Sequence, residues 1–95
     1  KMLIREPKFI ECIKGKEIYK EQPFKVKNEL KQMDLFCFNE REICVIDYKT
    51  TDKNIEENKK QVKEYKDALA KFYEKHSIIA VIFYALEGKI SYIEV

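Results

Sequence analysis

Two aspartates and a lysine stand inside runs that otherwise read as strands. Asp34 lies in Gln32-Met33-Asp34-Leu35, and Asp47 and Lys49 lie in Val45-Ile46-Asp47-Tyr48-Lys49-Thr50-Thr51. Aspartate is depleted in strands and costly to bury without a partner. One in each of two neighbouring apolar runs breaks a local rule twice, and such breaks gather where stability is given up for chemistry. Residues two apart on a strand share a face, which puts Asp47 and Lys49 together and turns Tyr48 away. A hairpin turning at residues 39–42 sets Asp34 opposite Asp47. Two carboxylates that close repel unless a cation joins them, and a hard, oxygen-seeking ion such as Mg²⁺ suits them. With a metal to polarise a phosphoryl oxygen and acidify a bound water, and an ammonium to offset developing charge, the trio suits phosphodiester cleavage. The plainer alternative is an Asp47–Lys49 ion pair at a strand end, with Asp34 half exposed.

These residues need a sheet to hold them. Ile43-Cys44-Val45-Ile46 is all apolar, the pattern of a strand covered on both faces and central in its sheet. Leu30 to Phe38 predicts its partner across the polar Asn39-Glu40-Arg41-Glu42 turn. Glu17 to Lys27 partly alternates around Ile18, Phe24 and Val26, and Pro23 suits an edge strand. A helix is expected from Asn54 to about Lys75, where Ile55, Val62, Tyr65, Leu69 and Phe72 recur at helical spacing. Asn54 and Glu57 have capping-box spacing, and Glu56 and Glu57 oppose the positive end of the dipole. Ile78 to Leu86 and the alternating Ile90-Ser91-Tyr92-Ile93, joined at Glu87-Gly88-Lys89, predict two more strands. Residues 1–15, with Pro7 interrupting any helix and Gly15 at the end, read as a helix remnant or a loop. The expected fold is α/β (α+β), a mixed central sheet of about five strands with one long helix, in the order β-β-β-α-β-β. Strands 43–49 and 78–86 should be parallel neighbours joined by a crossover, leaving a face under the site free of the long helix, for DNA or for a helix from further upstream.

Ninety-five residues suffice for one domain with one core, so 1–95 is expected to be a single domain. A hydrophobic fraction of 45% with six Phe and six Tyr suits a packed globule rather than a disordered chain. The net charge of +2 does not itself announce a nucleic-acid binder. Lys53, Lys59, Lys60, Lys63 and Lys66 could form a local basic surface or simply the solvated face of the helix. Cys12, Cys37 and Cys44 are odd in number and lack CxxC spacing, which argues against disulfides and against zinc or iron–sulfur sites and favours a reducing, cytoplasmic setting. Cys37 and Cys44 read as small core residues. No signal peptide is recognisable and no apolar run approaches the ~20 residues that span a membrane. Lys1 precedes the first Met, which suggests a piece of a larger polypeptide.

Taken together, the motifs resemble the PD-(D/E)XK nucleases, and more closely their RecB-type branch. That pattern runs as a G-x-I-D strand, a turn, V/I-x-D-Y-K-T and then Q-x-x-x-Y on a helix. Its counterparts here are Lys31-Gln32-Met33-Asp34, Val45-Ile46-Asp47-Tyr48-Lys49-Thr50 and Gln61-Val62-Lys63-Glu64-Tyr65, within residues 17–95. The resemblance implies a restriction-endonuclease-like core and a Mg²⁺-dependent DNA exonuclease, with Mn²⁺ as a substitute. Its metal ligands would be Asp34, Asp47 and the backbone carbonyl of Tyr48, with Lys49 as the catalytic lysine. Gln61, Tyr65 and Thr50 would support the site or hold the DNA backbone. It further implies DNA as substrate, a helicase domain or subunit as partner, a role in recombinational DNA repair and no membrane association.

Departures from the pattern are also visible. Lys31 stands where the family commonly has Gly. The family's helix before the first strand carries a further acidic or histidine residue, for which Glu6 and Glu11 are the available candidates. His76 is better explained as a favourable charge at a helix C-terminus than as a ligand. The cluster-bearing branch needs four cysteines, so no iron–sulfur cluster is expected within these residues. Two other readings compete: a nuclease-like module that binds DNA or partner subunits without cutting, and a small α/β interaction domain, which leaves both strand aspartates unexplained. Tyr65 as simple core and Gln61 as simple surface are the corresponding plain readings of the helix pair.

Overall fold

The computed structural model describes residues 6–26 and 29–95. Two helices and five strands follow in the order α1 (Pro7–Ile13), β1 (Glu17–Val26), β2 (Glu29–Phe38), β3 (Glu42–Lys49), α2 (Ile55–Phe72), β4 (Ser77–Leu86) and β5 (Lys89–Glu94). The strands form one mixed sheet, ordered β1-β2-β3-β4-β5, in which β3 and β4 are parallel and the other neighbours antiparallel. The fold is thus mixed α/β, a five-stranded mixed sheet with two helices. No helix among the described residues is long and apolar enough to cross a membrane.

The turn between the aspartate-bearing strands is closed by one side chain. Asn39 Oδ1 accepts the N–H groups of Arg41 and Glu42 at 2.9 and 2.7 Å, and the Asn39 N–H donates to the Glu42 carbonyl at 3.0 Å. This sets the register Phe38–Ile43, Cys37–Cys44, Phe36–Val45 and Leu35–Ile46. At the other end of the sheet, Glu87 and Gly88 both have positive φ, 48° and 80°, as a two-residue hairpin turn requires.

Alternation along β3 and β4 sorts their residues into two cores. Ile43, Val45, Ala80, Ile82 and Tyr84 face α2 and meet Val62, Tyr65 and Leu69. Cys44, Ile46, Val81 and Phe83 face the other way and meet Cys12, Phe9 and Ile13 of α1. The face expected to be free of the long helix is therefore largely covered by α1, and the element order differs from β-β-β-α-β-β by a helix at its front. Pro7 does not interrupt that helix but opens it. At the first helical position the N–H that proline lacks has no intrahelical partner anyway, and Glu6 caps by accepting the Lys8 N–H at 2.7 Å. The long helix ends at Phe72 rather than Lys75, because Tyr73 leaves helical geometry at φ −120°, ψ 68°. The expected capping box is not formed: Asn54 occupies the N-cap but makes no side-chain cap hydrogen bond.

All three cysteines are buried and free, and burial pushes the Cys37 thiol up to about 11. Three lysines of α2 are engaged. Lys63 pairs with Asp67 at 2.6 Å, Lys59 with Glu56 at 3.8 Å, and Lys66 donates to the Val95 carbonyl at 3.0 Å.

β1 lies at the sheet edge, as Pro23 suggested. Of the residues expected to alternate there, Lys27 and the side chains of Phe24 and Val26 lie outside the described residues. The β1–β2 ladder passes from Lys20–Leu35 to Gln22–Met33 without pairing Glu21 to Asp34. Glu21 has φ +51°. Tyr19 and Gln22, three apart, line one hollow together with Phe36, and Met33 and Phe36 share another. Side chains three apart on a strand should lie on opposite faces, so the ribbon turns over at Glu21 and Asp34. Gln32 Nε2 donates to the Glu21 carbonyl at 3.0 Å and braces the crossover. A left-handed non-glycine residue is strained by roughly 1–2 kcal/mol. Glu21→Gly is therefore expected to raise stability by about 1 kcal/mol in urea denaturation, whereas an unstrained residue would lose stability on that change.

Candidate functional site

β3 carries Asp47 and Lys49 at its C-terminal end, on the α2 face. The turn at Asn39 delivers Asp34 beside them. Beyond Leu35–Ile46 the antiparallel ladder gives way to a side-chain contact, in which the Tyr48 N–H donates to Asp34 Oδ2 at 2.8 Å. Asp34 thus takes the place of a backbone acceptor, and the turnover of the ribbon at this residue lets it do so.

Asp47 is the charged residue buried in the core of the described chain, with 5% of its surface exposed. The Lys49 Nζ lies 3.3 Å from its Oδ2 without hydrogen-bond geometry, so that oxygen is buried with no hydrogen-bond partner. Burial pushes the Asp47 carboxyl up to about 6; the Lys49 ammonium pulls it down, and neighbouring Asp34 raises it. The two carboxylates are therefore close enough to feel one another, as the hairpin register requires.

The helix roofs this end of the sheet. Tyr65 is buried in the core, and burial followed by the charges of Asp47 and Asp34 pushes its phenol up to about 12. It is both a core residue and a neighbour of the carboxylates. Gln61, one turn earlier, is half-buried, and Thr50 is exposed beyond the end of β3. A residue pair that spacing alone did not single out lies close by. Asn58 Nδ2 donates to the Tyr84 hydroxyl at 3.1 Å, and Tyr84 is the parallel-strand partner of Lys49. The available signal was weak: Asn58, Gln61 and Tyr65 follow helical spacing, but nothing local joins Asn58 to a tyrosine 26 residues away.

Other candidates lie elsewhere. Glu6 caps α1, and Glu11 pairs with Lys8 at 3.0 Å on the side of the molecule bearing Tyr92 and Glu94. His76 stacks on Phe38 at 5.2 Å, and its Nε2 lies 3.0 Å from the Asn39 carbonyl oxygen, so it ties the α2–β4 connection to the Asn39 turn. Lys31 keeps a regular place in β2 opposite Phe24. Among the described residues no group of three or more His, Cys, Asp and Glu side chains gathers around one point. Comparison of the chain with family models, curated proteins and solved structures returns no match.

A carboxyl whose folded pKa lies above its unfolded value binds extra proton on folding, so its contribution to stability is greatest at low pH and is lost as pH rises. For Asp47 the window runs from 3.8 to about 6. In EDTA, Asp47→Asn should be more stable than the parent at pH 7.5, by up to about 3 kcal/mol. The advantage should shrink towards pH 4. Equal differences at both pH values would mean that the buried charge is compensated.

Proposed function

We propose that this chain is the nuclease core of a PD-(D/E)XK enzyme of RecB type, hydrolysing DNA phosphodiester bonds with Mg²⁺. The observation that carries this reading is the buried Asp47 carboxylate, whose Oδ2 faces the Lys49 ammonium at 3.3 Å but accepts no hydrogen bond, beside Asp34 of the adjacent strand. A buried carboxylate oxygen that accepts no hydrogen bond, next to a second carboxylate, is donor chemistry that fits a hard divalent cation. Asp34, Asp47 and the Tyr48 carbonyl would hold Mg²⁺ or Mn²⁺, which when bound supplies charge neutralisation at the phosphate and a more acidic water.

The chain's own residues do the rest. Asp34 fixes the backbone at Tyr48 through its hydrogen bond. Lys49, already drawn to the Asp47 carboxylate, offsets charge developing on the phosphoryl oxygens. Tyr65 closes the site from above, and Gln61 and Thr50 are available to the DNA backbone. A restriction-endonuclease-like core is supported by the hairpin that carries both aspartates, the helix joining parallel β3 and β4, and a helix ahead of β1. Membership of a larger cytoplasmic helicase–nuclease, acting in recombinational repair, belongs to the same proposal.

A non-cutting, nuclease-like module for DNA binding or subunit interaction is the second reading. It is favoured by α1, whose carboxylates Glu6 and Glu11 are engaged away from Asp34 and Asp47.

Single-turnover digestion of labelled linear DNA with Mg²⁺, on the intact polypeptide, separates the two. Lys49→Ala should lose about 10²–10³ in rate with DNA affinity largely kept; cutting at the parental rate would remove the catalytic assignment. Calorimetric Mn²⁺ titration should show weakened binding in Asp34→Asn and Asp47→Asn. Undiminished binding in both puts the ion elsewhere.

A further inference from the structure

Tyr48 lends only its backbone to the site proposed above, yet the residue is 42% exposed. It points to the face opposite Asp47, where Lys20, Glu21, Asp34, Leu35 and Tyr48 line an open cleft of about 480 Å³. On that face its strand neighbour Phe83 is fully buried and packs against Phe9 of α1, ring centroids 5.8 Å apart. The helix therefore covers the sheet as far as Phe83 and leaves Tyr48 open.

Asp34 connects the cleft to the site. It lines the cleft, accepts the Tyr48 N–H, and lies one residue beyond the Leu35–Ile46 pair, next to Asp47. The strained turnover at Glu21 bounds the same cleft, and strain of this kind gathers at ligand sites. The walls combine a flat aromatic face and an aliphatic side chain with an ammonium and with carboxylate acceptors. A nucleobase matches that set. Its π-face stacks on tyrosine and its exocyclic amines find acceptors, while Lys20 offers a cation to the nucleic-acid backbone. In a duplex both faces of a base are covered by its neighbours, so only an unpaired base can lie on the Tyr48 ring.

We infer that the Tyr48 cleft binds one unpaired nucleobase of a single-stranded nucleic acid, placing the adjoining phosphate at Asp34 and Asp47. The placement of the phosphate rests on the nuclease reading; the stacking can be tested without cleavage.

Fluorescence anisotropy with single-stranded oligonucleotides in EDTA measures the stacking. Tyr48→Ala should weaken binding about ten-fold or more, and Tyr48→Phe, which keeps the ring, should bind like the parent. Oligonucleotides lacking one base at successive positions should reveal a position where the parent loses the same factor and Tyr48→Ala loses nothing further. A duplex of the same sequence should show no dependence on Tyr48. Binding by Tyr48→Ala within two-fold of the parent, or losses that add at every abasic position, would overturn the inference. A chain that shows this Tyr48 dependence but never cuts DNA with Mg²⁺ sinks the nuclease reading and keeps the cleft. A chain that cuts while Tyr48→Ala binds normally does the reverse.

Discussion

The burial of the Asp47 carboxylate in the central strand is the constraint around which the molecule is arranged. β3 is apolar because helices cover both of its faces, and a charge in such a strand is unfavourable unless groups are brought to it. Lys49 reaches it from two residues further along, Asp34 from the adjacent strand and Tyr65 from the helix overhead. None of them completes its hydrogen bonding at Oδ2. The same sheet that hides the carboxylate from water thus leaves an oxygen with unspent capacity to accept.

The turnover of the β1–β2 ribbon has a comparable role in geometry. A regular ladder would spend Asp34 on packing, with its side chain committed to one face. By reversing faces at Glu21, the hairpin keeps its hydrophobic residues inward on either side and leaves Asp34 at the crossover, aimed along the sheet towards Tyr48. Backbone strain at an exposed glutamate is the physical counterpart of that arrangement.

Much of this frame was legible in residue patterns. The two uninterrupted apolar runs specified the parallel pair β3 and β4, Pro23 marked the edge, and the length of the Asn39 turn set the register that brings Asp34 towards Asp47. Four things were not legible. Pro7 reads as an interruption unless the chain before it is known to turn into a helix at that residue. The cover that α1 places over Cys44, Ile46 and Phe83 depends on only three residues, Phe9, Cys12 and Ile13, too few to give a periodic signal. The left-handed conformation of Glu21 has no compositional mark, because glycine and asparagine are the residues that ordinarily announce it. The Asn58–Tyr84 contact was hidden for a different reason, since it joins two elements brought together only by the crossover.

The free margin of the sheet shows a further effect of the β1 crossover. A ten-residue border strand would ordinarily offer a long row of unused backbone donors and acceptors to any passing chain. Here Pro23 removes one donor, and the reversal two residues before it breaks the row into short pieces that face different ways. The irregularity that frees Asp34 therefore also denies a foreign strand a continuous template, so that placement of the acidic group and resistance to edge-to-edge aggregation come from one bend in the backbone.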